Sequence, residues 1–210
     1  MAKSYWEYRG VSNAVYAEII VDDNEANTAG TGETPDHGYV TGTVKDLTGV
    51  SEIAKTTDAS NEAHYYDNIP AIVISSTGAD TITINASGIP LDVVAEITGQ
   101  HYADGVLVEQ ERIQKYFAFG YKTKKTDGTD VYVWRLKGTF SIPDVDSATE
   151  DAGTDANGQE LTFTGVSTAH KFTATGAGAK AVNLDTSVND DVSEQTFFGT
   201  VQDPDTLLGN

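Results

Sequence analysis

The chain has 210 residues, more than a typical single domain but fewer than two full ones, so we expect one domain with extensions. It carries 13 Lys and Arg against 32 Asp and Glu, which gives a formal net charge of -19. This charge argues against tight binding to nucleic acid or to an anionic membrane, because Lys and Arg supply most of the affinity for phosphates. The chain contains no Cys, which excludes disulfides, thiolate catalysis and Cys-based metal sites.

The N-terminal residues Met1 to Glu7 lack the apolar segment of a signal peptide, and apolar runs elsewhere are only a few residues long. We therefore expect neither export by that route nor a membrane-spanning segment. The 20 Gly and the abundant Thr and Asp are typical of a turn-rich β protein.

Strand patterns dominate the first half of the chain. Predicted strands are residues 13–21, 39–47, 50–55, 71–75 and 81–85. In the last of them Ile82 and Ile84 alternate with polar residues, so one face should be buried. Residues 77–80, with the sequence TGAD, are expected to separate the last two strands.

A short helix is predicted at residues 91–99. Pro90 can occupy the first helical position, Leu91 and Val94 lie on one face, and Gly99 can cap the C-terminal end. We expect this amphipathic helix to pack on a sheet.

The strongest strand signal is a hairpin in the second half of the chain. Residues 115–121 and 131–137 are rich in aromatic and β-branched residues, and Asp127 and Gly128 between them are typical of a turn. Weaker patterns predict strands at 161–165, 171–175 and 196–201.

Together these patterns predict a mainly β fold, a sandwich or barrel of about ten strands with one flanking α-helix and long loops. We assign residues 1–151 to the core, which includes a long acidic loop at 22–38. Residues 152–210 are expected to form a C-terminal β segment of the same domain.

The acidic loop has no base and no large apolar residue between positions 22 and 36, so it cannot join a core. It is either a solvated loop or an interaction arm that becomes ordered on contact. Its acids are Asp22, Asp23, Glu25, Glu33 and Asp36.

Charge is unevenly distributed along the rest of the chain. Residues 111–137 contain seven bases and three acids, whereas residues 141–210 contain two bases and twelve acids. Surfaces of opposite charge can associate head to tail between copies of one chain, although a solvated hairpin is an equally good interpretation. The candidate contact residues of this basic hairpin are Arg112, Lys115, Lys122, Lys124 and Lys125.

No pattern in the sequence indicates catalysis or a bound cofactor. The four His are dispersed without metal-ligand spacing, and neither a nucleophile elbow nor a phosphate-binding Gly loop is present. The acids Asp144, Asp146, Glu150 and Asp151 could ligate calcium, but their spacing departs from an EF-hand, so a solvated loop is the better interpretation. We therefore expect no enzyme, no metal and no cofactor.

Several short motifs follow one another in a characteristic order. They are GVSNAVY at 10–16, VKDLTGVSEI at 44–53, YYDN at 65–68, YFAFGY at 116–121 and GTFSIP at 138–143. In this order they resemble the major tail protein family of long-tailed phages that infect Gram-positive bacteria, the subunit of the tail tube. The resemblance covers about residues 10–151 and excludes the acidic loop.

The resemblance implies a β-sandwich or barrel whose hexameric rings stack into a hollow tube in the virion tail, assembled in the host cytoplasm. Its partners would be other copies of itself and the tape measure, tail terminator and distal tail proteins. An acidic lumen would let DNA pass without adhesion, since few phosphate contacts would form. The acidic loop then becomes a candidate contact between rings, and the basic hairpin a candidate contact between subunits.

A binding module is the alternative from a different functional class. A secreted or cell-surface β-sandwich that binds carbohydrate, or a calcium-dependent domain, would have a similar composition.

Overall fold

A computed structural model describes residues 5–25, 37–66, 69–145 and 157–209. The strands are β1 Tyr8–Asp22, β2 Tyr39–Thr41, β3 Lys45–Asp46, β4 Val50–Tyr66, β5 Ile69–Ala86, β6 His101–Ala103, β7 Val106–Val108, β8 Phe117–Lys125, β9 Asp130–Phe140, β10 Asp144–Val145, β11 Gln159–Gly165 and β12 Ala181–Asp185. The helices are α1 Leu91–Thr98, α2 Glu194–Gly199 and α3 Pro204–Leu208. The mainly β fold class predicted from the sequence is confirmed.

One large antiparallel sheet organises the molecule. Its strand order is β2-β1-β8-β9-β11-β5-β4, with β3 paired to β1, β10 to β11 and β12 to β9. β1 and β4 contact each other, although no ladder joins them in the described part of the chain. The sheet therefore curls towards a barrel. The short strands β6 and β7 form a separate hairpin.

The central strands β8 and β9 are buried on both faces. Phe117, Phe119 and Val133 belong to a first apolar cluster, which includes Val94 and Ile97 of α1. Successive side chains of a strand point to opposite faces, which explains why these strands contain continuous apolar runs.

A second apolar cluster lies on the opposite face of β8 and β9. It joins Trp134 and Leu136 to Phe197, Phe198 and Val201 of the C-terminal segment. The indole Nε1 of Trp134 donates to the carbonyl oxygen of Phe197 at 2.9 Å, which satisfies its buried donor. The C-terminal segment thus covers the outer face of the sheet, while β11 lies inside the sheet between β9 and β5.

The predicted helix forms as α1, one residue shorter than expected. Pro90 precedes the helix as its N-cap, and Gly99 ends it with φ at 69°, its N–H directed at the carbonyls of Ala95 and Glu96. A side chain at position 99 would also meet the backbone of Ile113, since a Cβ there would lie 2.3 Å from its carbonyl oxygen. Both constraints favour Gly.

Two of the weaker strand predictions are wrong, as is the expectation of a single helix. Residues 171–175 form a turn closed by a bridge between Phe172 and Ala177. Residues 196–201 belong mostly to α2, because the Ser193 side chain accepts from the N–H of Thr196 and caps a helix there. A capping box between Asp203 and Thr206 starts α3.

The predicted break at residues 77–80 is also wrong. β5 continues through it as one strand paired with β4, and Thr57 lies opposite Asp80. Residues 50–55 and 71–75 are accordingly parts of much longer strands than predicted. Residues 39–47 instead divide into the short strands β2 and β3.

Candidate functional site

Asp22 of the predicted acidic loop is an internal anchor. Its carboxylate accepts from Lys137 Nζ at 2.5 Å and from the backbone N–H groups of Ala169 and His170 at 2.9 and 2.8 Å. The Asp22 side chain is only 6% exposed. It therefore ties the end of β1 to β9 and to the C-terminal segment.

Asp23 closes the base of the same loop. Its Oδ1 accepts from the N–H groups of Gly38 and Glu25 at 2.8 and 3.0 Å. These bonds, the one from Gly38 above all, lower the pKa of Asp23, and His37 adds to the effect. His37 Nδ1 also lies 3.0 Å from a Glu25 carboxylate oxygen. Glu33 and Asp36 lie outside the described residues.

The predicted basic hairpin holds most of its charges against acids of the same chain. Lys122 lies 2.8 Å from Glu194, a bond that raises the pKa of Lys122. The Nζ of Lys125, a residue only 2% exposed, lies 2.5 Å from Asp185.

The other three cations of the predicted basic hairpin have different surroundings from one another. Lys115 Nζ lies 3.0 Å from Glu18, and Arg112 Nη2 donates to the carbonyl oxygen of Phe140 at 2.8 Å. Lys124 is exposed and forms no ion pair with a described residue. The structure therefore holds four of these five cations against groups of the same chain and does not gather them as a free basic surface.

A projecting hairpin is the main feature that the sequence analysis missed. The last pair between β11 and β5 is Gly165 with Asp80, and beyond it β4 and β5 pair only with each other among the described strands. We call residues 58–66 and 69–79 the distal arm. At about 3.3 Å per residue, the β5 side of the arm is about 35 Å long.

The distal arm exposes aliphatic side chains. Ile72, Val73 and Ile74 are 51%, 63% and 54% exposed. Ile74 is opposite Glu62 and Ile72 is opposite His64, so these four side chains share one face. Val73 lies on the other face. Exposed aliphatic side chains that adjoin one another make the arm a candidate interaction surface.

A cavity of about 390 Å³ lies near the base of the arm. β1, β4, β8 and β9 line it, so it sits where the two ends of the curled sheet approach each other. Its apolar walls include Val11, Ile53, Val131 and Val133. Its polar lining includes Lys55, Glu52, Tyr121, Thr123 and Arg135.

Three cations converge on one carboxylate beside this cavity. Asp80 oxygens lie 3.7 Å from Lys55 Nζ, 3.6 Å from Arg135 Nη1 and 3.4 Å from Lys180 Nζ. Burial opposes ionisation of Asp80, but a hydrogen bond from Thr57 and the charges of Lys55 and Lys180 outweigh it and lower the pKa. Lys180 Nζ also donates to the carbonyl oxygen of Gly78.

Arg135 retains an unused donor. Its Nη2 donates to the Tyr121 hydroxyl at 3.1 Å, whereas its Nε is buried and has no hydrogen-bond partner among the described residues. A buried donor without a partner is unfavourable.

The sequence analysis expects no metal site and no membrane-spanning segment. The described residues contain no group of three or more His, Cys, Asp or Glu arranged to hold a metal ion. Within the same part of the chain, no helix has the length and apolar character needed to cross a membrane. A scan against protein-family models finds no match to the chain, and a search of curated proteins finds none either.

Proposed function

We propose that the chain is a structural subunit that assembles with copies of itself into the rings of a phage tail tube, a conduit for DNA. The observation that carries the proposal is the distal arm, a long two-stranded projection with aliphatic side chains in solvent. The resemblance in motif order supplies the kind of assembly.

The physical argument concerns what stabilises the arm. An isolated two-stranded hairpin is marginally stable in water, and three or more strands or a packed face are needed for independent stability. Burying an Ile or Val side chain contributes about 1.5–3 kcal/mol, so Ile72, Val73 and Ile74 together can provide a substantial part of a subunit contact. Assembly therefore supplies the packing that the arm lacks in a single copy.

The charge of the chain supports a conduit for DNA. With a net charge of -19, a wall built from many copies would repel phosphate rather than bind it. The pairing of Lys115, Lys122 and Lys125 with acids leaves still fewer cations for contact with a polyanion. Weak contact is what the passage of DNA requires.

The test is assembly with and without the arm. Replacing residues 60–76 by Asn-Gly keeps the pairing of Thr57 with Asp80 and closes the shortened hairpin with a favourable turn. We expect the unaltered protein to form rings or tubes with a central channel in negative-stain electron microscopy, and the shortened variant to remain monomeric.

The matched control alters the arm without removing its aliphatic residues. Ser60 and Ser76 share a hydrogen bond of 2.7 Å, and both are exposed. The variant Ser60→Ala, Ser76→Ala should assemble normally. An unaltered protein that stays monomeric at high concentration, or a shortened variant that still forms tubes, would contradict the proposal.

A further inference from the structure

We propose that the distal arm of one copy docks into the cavity of a second copy, where the carboxylate of Glu62 meets Lys55 and Arg135. This inference rests on the proposed function, because it names the receiving site for the same arm. The contact joins an acidic, aliphatic hairpin face to a cationic, aliphatic cavity.

Charge complementarity is the first argument. Lys55 and Arg135 line the cavity, and together with Lys180 they share the single carboxylate of Asp80. Glu52 also lines the cavity and accepts from the neutral Asn85 side chain at 3.3 Å, so the lining holds two cations and one anion. The lining of the cavity thus carries a positive net charge in a chain of strongly negative net charge, and the side chains of Lys55 and Arg135 attract a further carboxylate.

The second argument is the match of apolar surface. Ile72 and Ile74 flank Glu62 on one face of the arm, and the cavity presents aliphatic walls beside its cations. Its volume of about 390 Å³ falls within the range of about 300–1,000 Å³ found for pockets that enclose a ligand. Aliphatic side chains that are more than half exposed in one copy would be enclosed in the next.

The third argument shows that the two sites belong to different copies. Lys55 and Glu62 lie on the same extended strand, seven residues apart, which places them about 23 Å from each other. An arm therefore cannot enter the cavity of its own copy. Two different surfaces meet in such a contact, so each copy can bind one neighbour with its arm and another with its cavity, which generates rings or open chains.

The first experiment is a charge exchange read out by analytical ultracentrifugation. Glu62→Lys alone and Lys55→Glu alone should each weaken association at least tenfold, because each brings like charges together. The double variant should recover most of the association, since it restores an opposite pair between copies. Weakening in both single variants without recovery in the double variant would overturn the docking.

The second experiment does not depend on a reversed charge being tolerated. Because the chain contains no Cys, a double variant carrying Ser51→Cys at the cavity and Ile72→Cys on the arm has only these two thiols. Mild oxidation should link copies into a ladder of covalent multimers. The control pairs Ser51→Cys with Val73→Cys, whose side chain lies on the opposite face of the arm, and it should cross-link at least fivefold less. Equal cross-linking in the two variants would overturn the docking.

A mixing experiment defines the polarity of the contact. The arm-shortened variant keeps its cavity, and the Lys55→Glu variant keeps its arm. At a concentration below the weakened dissociation constant of Lys55→Glu, each should be monomeric alone, and a 1:1 mixture should form dimers and nothing larger. Absence of dimers in the mixture would count against this geometry.

The outcomes separate this inference from the proposed function. If the unaltered protein does not assemble, the proposed function fails. If it assembles through the arm but neither charge exchange nor cross-linking behaves as expected, the proposed function stands and the cavity is not the receiving site.

Discussion

The hairpin of β8 and β9 and the distal arm are both long antiparallel hairpins, yet their side chains have opposite surroundings. In β8 and β9 both faces are buried, and the charged Lys122 and Lys125 are paired with acids far along the chain. In the distal arm both faces are exposed, including Ile72 and Val73. The first hairpin is stabilised by its own chain, whereas the second leaves its aliphatic side chains in solvent.

The contrast teaches that residue type alone does not identify an interaction surface. The basic residues of β8 suggested a contact surface, and the fold pairs Lys122 and Lys125 with acids of the same chain. The aliphatic run at 71–75 predicted a strand without indicating its surroundings, and the fold leaves the described part of it in solvent. Substitutions in the two regions should therefore separate folding from assembly.

The largest expected effect is in the body of the protein. Trp134 is fully buried in the second apolar cluster, and its Nε1 donor is satisfied by Phe197. Trp134→Ala should lower the free energy of unfolding by about 3–5 kcal/mol, because it leaves a cavity between the sheet and the C-terminal segment. Urea denaturation of the variant and of the unaltered protein measures this difference in the free energy of unfolding. Trp6, which is 41% exposed, provides the matched control, and Trp6→Ala should cost less than about 1 kcal/mol.

The internal ion pairs of the basic hairpin should have an intermediate effect. Asp185→Asn removes the partner of Lys125, whose side chain is only 2% exposed, while Asp185 itself is 39% exposed. Breaking a buried pair is costly, but water screens the exposed partner, so we expect a loss of about 1–2 kcal/mol. Asp191→Asn, an exposed site on the same segment, should have little effect.

The ion pair of Lys125 and Asp185 should also make the stability of the fold depend on pH. The hydrogen bonds of Lys125 and Ser187 lower the pKa of Asp185 from its usual 3.8 to about 2. A carboxylate with a lowered pKa stabilises the fold above its unfolded value, and this contribution is lost as the pH falls through the folded value. The unaltered protein should therefore lose more stability than Asp185→Asn between pH 4 and pH 2 in thermal unfolding scans. Equal losses would show that the pair does not stabilise the fold.

The elements of the fold also show which features could be predicted from the sequence. Period-two alternation and turn residues predicted the β class and the hairpin of β8 and β9. Helical apolar spacing between Pro90 and Gly99 predicted α1, and all of these signals are local. The strand prediction at 196–201 was wrong because Phe197 and Phe198 have high β propensity, while the cap at Ser193 and packing on the sheet favour a helix. A Ser three residues before Thr196 was the available signal.

The distal arm and the cavity could not be predicted in the same way. An apolar run such as 71–75 has the same sequence pattern in a buried strand and in an exposed one. Residues 72–75 are exposed because β11 ends at Gly165, opposite Asp80, and so does not extend alongside them. The cations at Asp80 come from three separate strands or loops, so their convergence is a property of the topology. Partners that are 60 or more residues apart, such as Lys125 and Asp185, carry no local signal.

The smallest effect on stability should come with the clearest loss of assembly. Ile72→Ser and Ile74→Ser together replace exposed aliphatic side chains that contact little within one copy, so the free energy of unfolding should change by less than about 0.5 kcal/mol. Association should nevertheless be lost, because the enclosed apolar area of the subunit contact is removed. Urea denaturation and sedimentation of the same sample measure the two effects.

Ile113→Ser, at a site 63% exposed on the body, is the matched control and should leave both stability and assembly unchanged. A large loss of stability in the arm variant would mean that the arm packs on its own body, and the distinction between the two hairpins would not hold.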